Sequence, residues 1–192
     1  MFWAVCCVAW SGSFRIHELV SKKETEYDVQ STLLWKDVQK STVTVDNRDT
    51  KVLSFYLKSP KTDRIGNGDR LEIFEVPDSF MCPIRAFEKW EKFSSVKKSK
   101  HLPVFRKLGG ECFTGTELNK YLYELTGGLR KHNIEIKSHS FRAGVCSILA
   151  AQGHSPETIM AIGRWTSEAW KTYAKLPRLQ RATMAASICG VD

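Results

Sequence analysis

The sequence predicts an α+β chain, mostly α, with a small antiparallel sheet near its N-terminus. Three observations carry that expectation. Apolar residues recur at helical spacing at the start of the chain and again after Pro77. Between them, residues 42–76 are rich in β-branched and aromatic types with period-two alternation. The later helical runs are also bracketed by Ser or Pro at their starts and Gly at their ends.

Taken in order, residues 2–10 and 15–20 read as helix, interrupted at the turn-prone Ser11, Gly12 and Ser13. Thr42–Val45 and Val52–Leu57 read as strands. In the second, Leu53, Phe55 and Leu57 alternate with Ser54, Tyr56 and Lys58, which predicts one wet face. Pro60, Gly66, Asn67 and Gly68 fall within Ser59–Asp69, and Arg70–Val76 reads as a further strand, so Lys61 is expected in the connection of a β-hairpin. Pro83 suits the first turn of a helix carrying Ile84, Phe87 and Trp90. Another begins near Thr116, carries Leu118, Tyr121, Leu122 and Leu125, and ends at Gly127 and Gly128. Ser138 is an N-cap candidate for a helix from His139 to about Gln152, closed by Gly153; Ser155 and Pro156 open a short helix toward Gly163. Ser167 is the expected cap of a last helix carrying Tyr173. No internal repeat or low-complexity segment interrupts this order.

At 192 residues and 42% hydrophobic, the chain is expected to form a single domain over residues 1–192. Its 29 Lys and Arg against 21 Asp and Glu leave a formal charge of +8, which suits a polyanion, since each phosphate neutralised on DNA releases condensed counterions. Runs such as Lys97, Lys98 and Lys100 read equally well as a solvated face. The six cysteines have neither zinc-site spacing nor a disulfide pattern, so they are expected to be buried thiols in a reducing compartment. The apolar run from Phe2 to Trp10 lacks a basic leader and is too short to span a bilayer, which favours a buried helix. No membrane association and no metal or other cofactor are expected.

Taken singly, the residues that could carry chemistry have bland readings. Arg15 and Glu18 make an ordinary helix pair, and Lys61 a solvated charge. His139 and Arg142, three apart, share a helix face by common chance; Trp165 suits a core, and Tyr173 a rim shared with Trp170. The joint pattern is more specific. In chain order stand Phe14-Arg15-Ile16-His17-Glu18-Leu19, then Lys61-Thr62, then Ser138-His139-Ser140-Phe141-Arg142-Ala143-Gly144, then Gly163-Arg164-Trp165, and finally Tyr173.

This order resembles the signature of the tyrosine recombinase (phage integrase) catalytic domain, the family of Cre, lambda integrase and the Xer proteins, from about Phe2 to beyond Tyr173. The resemblance implies a site-specific DNA recombinase that breaks and rejoins strands through a 3′-phosphotyrosine, without a metal. It implies roles for Arg15 and Arg142 as the two catalytic arginines, with Glu18 supporting Arg15. Lys61 corresponds to the lysine of the mobile hairpin, His139 to the family's histidine, and Trp165 to a position held by histidine or tryptophan. Tyr173 takes the place of the nucleophile. These side chains are expected to converge on one DNA phosphate.

The chemistry explains the residue types. A tyrosine hydroxyl ordinarily titrates near pH ~10, so roughly one in a thousand is phenolate at neutral pH and a base such as His139 is wanted. Two guanidinium forks can hold the charge that grows on the non-bridging oxygens, in a directed way that lysine does not reproduce. The leaving 5′ oxygen needs a proton, for which the family uses the hairpin lysine, and an indole N–H can donate to a phosphate oxygen.

The resemblance further implies double-stranded DNA as partner, a homotetramer on DNA and a monomer or weak oligomer without it. It also implies an N-terminal DNA-binding domain that this chain does not contain, and hence weak DNA binding by this chain alone. The Gly163-Arg164-Trp165 turn is more similar to recombinases of eukaryotic mobile elements, the DIRS-like, Ngaro and Crypton groups, which would put the protein in a nucleus. Leu179, Ala182, Met184 and Ile188 suit a helix given to a neighbouring protomer or folded back on its own. Two other readings remain at this stage: a mobile-element relic that binds DNA without cutting it, and a type IB topoisomerase-like enzyme.

Overall fold

The computed structural model describes residues 1–58, 68–94 and 99–174. The expected places of Lys61 and of the helix bearing Leu179 to Ile188 lie outside the described residues. Contacts divide the chain into two compact units, residues 1–141 and 142–192. The architecture is mostly helical with one three-stranded antiparallel sheet, as the sequence predicts.

Unit 1 is built around α1 (Phe2–Ser11), whose residues Ala4 to Ala9 are all buried. A helix apolar on every face must be covered on every face, and α1 belongs to one core with Phe55 and Ile73 of the sheet and Ile84, Phe87 and Trp90 of α3 (Pro83–Phe93). Cys6, Cys7, Cys82 and Cys112 are free and buried in this unit. Burial pushes the Cys6 thiol up to about 12 and the Cys7 thiol up to about 11, so both stay protonated and inert. The expected interruption falls where Ser13 takes a left-handed φ of +48°. The helix that follows, α2 (Ile16–Leu19), is one turn long and so shorter than expected. Among the described residues, no helix is long and apolar enough to cross a membrane.

The sheet has order β1-β2-β3, from β1 (Val38–Val45), β2 (Arg48–Leu57) and β3 (Asp69–Phe74). β1 and β2 each run four residues beyond the expected strands. Their arm ends in a two-residue turn at Asp46 and Asn47, with φ of +48° and +62°. Two successive left-handed residues make the turn whose twist matches a hairpin. β2 departs from the expected single wet face: Val52 to Phe55 are all buried. As the central strand it has cross-strand neighbours on both sides, and Glu72 and Phe74 of β3 stand opposite Ser54 and Val52. Ser54 donates to Glu72 at 2.8 Å. Lys58, the last described residue before the Lys61 segment, pairs with the buried Asp37 at 2.6 Å and donates to the Val29 and Thr32 carbonyls, fixing the end of β2.

In α4 (Gly115–Leu125) the Thr114 hydroxyl accepts from the Glu117 N–H, and the Glu117 carboxylate accepts from the Thr114 N–H, a reciprocal cap. Burial alone would raise the Glu117 carboxyl, but bonds from Lys107 and Thr114 outweigh it and hold the carboxyl below its ordinary range. After α4, Gly127–His132 forms a 3-10 helix that the sequence did not suggest.

α5 (His139–Ala151) runs across the boundary between the units and ends at Gly153, whose φ of +78° suits a residue without Cβ. In unit 2, α6 (Pro156–Gly163) is capped by the Ser155 hydroxyl, which accepts from the Thr158 N–H, as expected. The last expected helix is instead a 3-10 helix, Glu168–Thr172. Ser167 makes no side-chain cap there, and Tyr173 lies just past its end. A five-residue segment is short enough for the tighter winding, and one buried anchor, Trp170, packed with Cys146 and Ile159, holds it.

Candidate active site

In unit 1, Arg15 leaves the core between two buried neighbours, Phe14 and Leu19. Its N–H donates to one Glu18 carboxylate oxygen at 2.8 Å, and its guanidinium Nη1 donates to the other at 3.2 Å. One buried carboxylate thus grips both ends of the residue, fixing the guanidinium with a charge-assisted bond. His139 is exposed at the first position of α5. Either side of it the backbone is tied down: Ser138 N–H donates to Asn119 of α4 at 2.8 Å, and Lys137 N–H donates to the Ser140 hydroxyl at 3.0 Å.

Unit 2 brings three of the sequence-predicted residues together. Arg142, three residues after His139 on α5, is only 2% exposed. Its guanidinium carbon lies 4.3 Å from the centre of the Trp165 ring, and its Nη2 donates to the Arg164 carbonyl at 3.0 Å. The Trp165 ring in turn lies against Tyr173, with centroids 5.4 Å apart and planes tilted by 36°. Cation, indole and phenol lie in succession, each against the next. The Trp165 N–H is buried and has no acceptor among the described residues, an arrangement that costs on the order of 1 to 3 kcal/mol unless a ligand oxygen fills it.

The turn between α6 and Trp165 explains the Gly163-Arg164-Trp165 sequence. Arg164 adopts the left-handed conformation, φ +50° and ψ 50°, and its carbonyl is the acceptor for Arg142. A left-handed residue other than glycine carries a cost of about 1 kcal/mol or more, tolerated here where the turn presents that carbonyl. Gly163 is required by close approach: a Cβ there would sit 2.2 Å from Trp165 Nε1 and 2.3 Å from its Cδ1. Gly163→Ala is expected to displace the indole and lower stability by about 1 to 3 kcal/mol. Gly128→Ala, where an added Cβ meets nothing within 4 Å, is the control, expected to be neutral or slightly stabilising. Thermal melts of the two variants side by side check this, and equal melting temperatures would contradict it.

Two residues that the sequence reading passed over also hold Tyr173. Cys146 donates to the Trp170 carbonyl at 3.4 Å, and the Ser147 hydroxyl lies 2.6 Å from the Tyr173 carbonyl. Burial raises the Cys146 thiol, while the Arg142 charge pulls it down; the net rise keeps it a proton donor. The available sequence signal was a serine flanked by Cys146 and Ile148 in an apolar helix. Among the described residues, no group of three or more His, Cys, Asp or Glu side chains is placed to hold a metal ion.

No family model and no curated protein matches the sequence. Solved structures do match in fold. The XerH site-specific recombinase bound to palindromic difH substrate, in a post-cleavage complex, superposes with a TM-score of 0.64 at 12% identity, over 95% of this chain and 44% of that one. The XerA recombinase gives 0.59 at 13% identity, over 97% of this chain and 57% of that one. The Tn1549 transposon integrase, in complex with circular intermediate DNA, gives 0.52 at 16% identity, over 95% of this chain and 58% of that one. The chain therefore spans about half the length of these proteins. A helical domain with a small antiparallel sheet, matched over nearly its whole length, has the fold of the tyrosine recombinase catalytic domain.

Proposed function

We propose that this chain is the catalytic part of a site-specific DNA recombinase that breaks and rejoins strands through a 3′-phosphotyrosine at Tyr173. The observation that carries the reading is the succession of Arg142, Trp165 and Tyr173 in unit 2, with a buried indole N–H awaiting an acceptor. Support comes also from the +8 charge and from a fold otherwise seen in recombinases and integrases, two of those compared being bound to DNA.

In the proposed step, the Tyr173 oxygen attacks the scissile phosphorus, and its proton passes to His139. The bond from phosphorus to the 5′ oxygen breaks, and Lys61 supplies the proton that makes the leaving group a free 5′ hydroxyl. Arg15 and Arg142 hold the non-bridging oxygens, and Trp165 donates its N–H to one of them. The phosphotyrosine keeps the energy of the broken ester, so a second 5′ hydroxyl can reseal the strand without a nucleotide cofactor. Double-stranded DNA is the proposed partner, a homotetramer the proposed assembly on it, and recombination of a mobile element in a nucleus the proposed setting.

The test is to incubate the chain with nicked duplexes carrying a randomised core, from which a cleaved fragment diffuses away and traps the adduct. Covalent adducts are expected, with the modified peptide containing Tyr173 and the released DNA ending in a 5′ hydroxyl. Retention of duplex with no covalent product would assign the chain to DNA binding alone.

A further inference from the structure

We infer that Ser147 is a positioning residue for the nucleophile, an inference that rests on the recombinase reading of Tyr173. The Ser147 hydroxyl lies 2.6 Å from the Tyr173 carbonyl and 2.9 Å from the carbonyl of Ala143, four residues earlier in α5. A hydroxyl has one proton, so it serves one carbonyl at a time. In an ordinary helix the earlier carbonyl takes it, and the serine does no more than bend its own helix slightly. Here the shorter contact is to Tyr173, across 26 residues of sequence.

The consequence is geometric. Tyr173 follows a 3-10 helix of only five residues, which on its own would leave the phenol's backbone poorly fixed. Three contacts remove that freedom. Cys146 takes the Trp170 carbonyl, the Trp165 ring lies against the phenol, and Ser147 takes the carbonyl of the nucleophile itself. Cys146 and Ser147 belong to the helix that carries Arg142, four and five residues further on. One rigid element therefore carries an arginine of the proposed site and the anchor of its nucleophile. Ser147 does not touch the reacting atoms; it sets where the tyrosine backbone stands relative to α5, and attack demands reacting atoms placed to within a fraction of an ångström.

The experiment compares Ser147→Thr with Ser147→Val, which match in shape and differ only in the hydroxyl. Single-turnover cleavage is measured at saturating concentration of a nicked duplex recovered from the randomised pool, beside DNA affinity and melting temperature. Ser147→Thr is expected within about twofold of wild type and Ser147→Val about tenfold slower, with DNA affinity the same for both. A residue that merely stabilised the fold would not separate the cleavage rate from affinity. Should Ser147→Val melt more than about 5 °C below Ser147→Thr, Ser147→Ala is read against wild type at a temperature where both are folded. Equal cleavage by the hydroxyl-bearing and hydroxyl-free variants overturns the inference and leaves the recombinase reading standing. A wild-type chain that forms no adduct removes that reading, and this inference with it.

Discussion

Tyr173→Phe is expected to abolish the covalent adduct, lowering cleavage by at least about a thousandfold, while leaving stability and DNA retention as they are. The substitution removes a single oxygen. Two contacts that hold the residue do not use that oxygen: the ring lies against Trp165, and the carbonyl is held by Ser147. A melting temperature within about 2 °C of wild type is therefore expected, as for a half-buried site losing no packing. Equal DNA retention by the two proteins would show that the lost adduct is chemical in origin. An adduct that persists in the variant would sink the assignment and move the search to another tyrosine. Tyr56 of β2 and Tyr121 and Tyr123 of α4 are the exposed alternatives, and peptide mapping of the adduct would tell them apart.

What could be read from sequence divides along physical lines. α6 was legible because its start is chemically explicit, a serine that caps and a proline that tolerates the first turn. α1 was legible because a run from Ala4 to Ala9 with no polar residue admits burial and little else. The arm formed by β1 and β2 was legible only in part: Thr42–Val45 reads as strand, whereas Val38–Ser41 and Arg48–Lys51, mostly polar and mostly exposed, carry no apolar alternation to mark them. The grip of Glu18 on Arg15 followed from spacing and from the family resemblance together. The roles of Gly163 and Arg164 needed coordinates. Arginine has no preference for the left-handed region, so the conformation of Arg164 is imposed by tertiary contacts, among them the bond its carbonyl accepts from Arg142. Similarly, a serine in the middle of a helix carries no mark of a partner 26 residues away.

Arg142→Lys is expected to lower cleavage by about 100- to 1000-fold, the loss found when one directed donor to a developing oxyanion is removed. Charge alone would predict a mild effect, and the geometry argues otherwise. The guanidinium performs two tasks at once: its central carbon lies over the Trp165 ring, and one of its nitrogens donates to the Arg164 carbonyl. An ammonium is a compact point charge that cannot lie flat on the indole while presenting a fork to a phosphate, and it is more strongly hydrated. At a position only 2% exposed, that hydration is lost, so burial would also push a lysine toward its neutral form. Arg142→Met separates charge from shape. It fills similar space without a charge, relieving the burial cost, so it is expected to be no less stable than Arg142→Lys and equally silent in cleavage. If Arg142→Lys cleaves within about threefold of wild type while Arg142→Met is dead, positive charge suffices and the fork is not needed. If both cleave at the wild-type rate, Arg142 is a buried structural cation packed against Trp165, and the transition state takes its stabilisation from elsewhere.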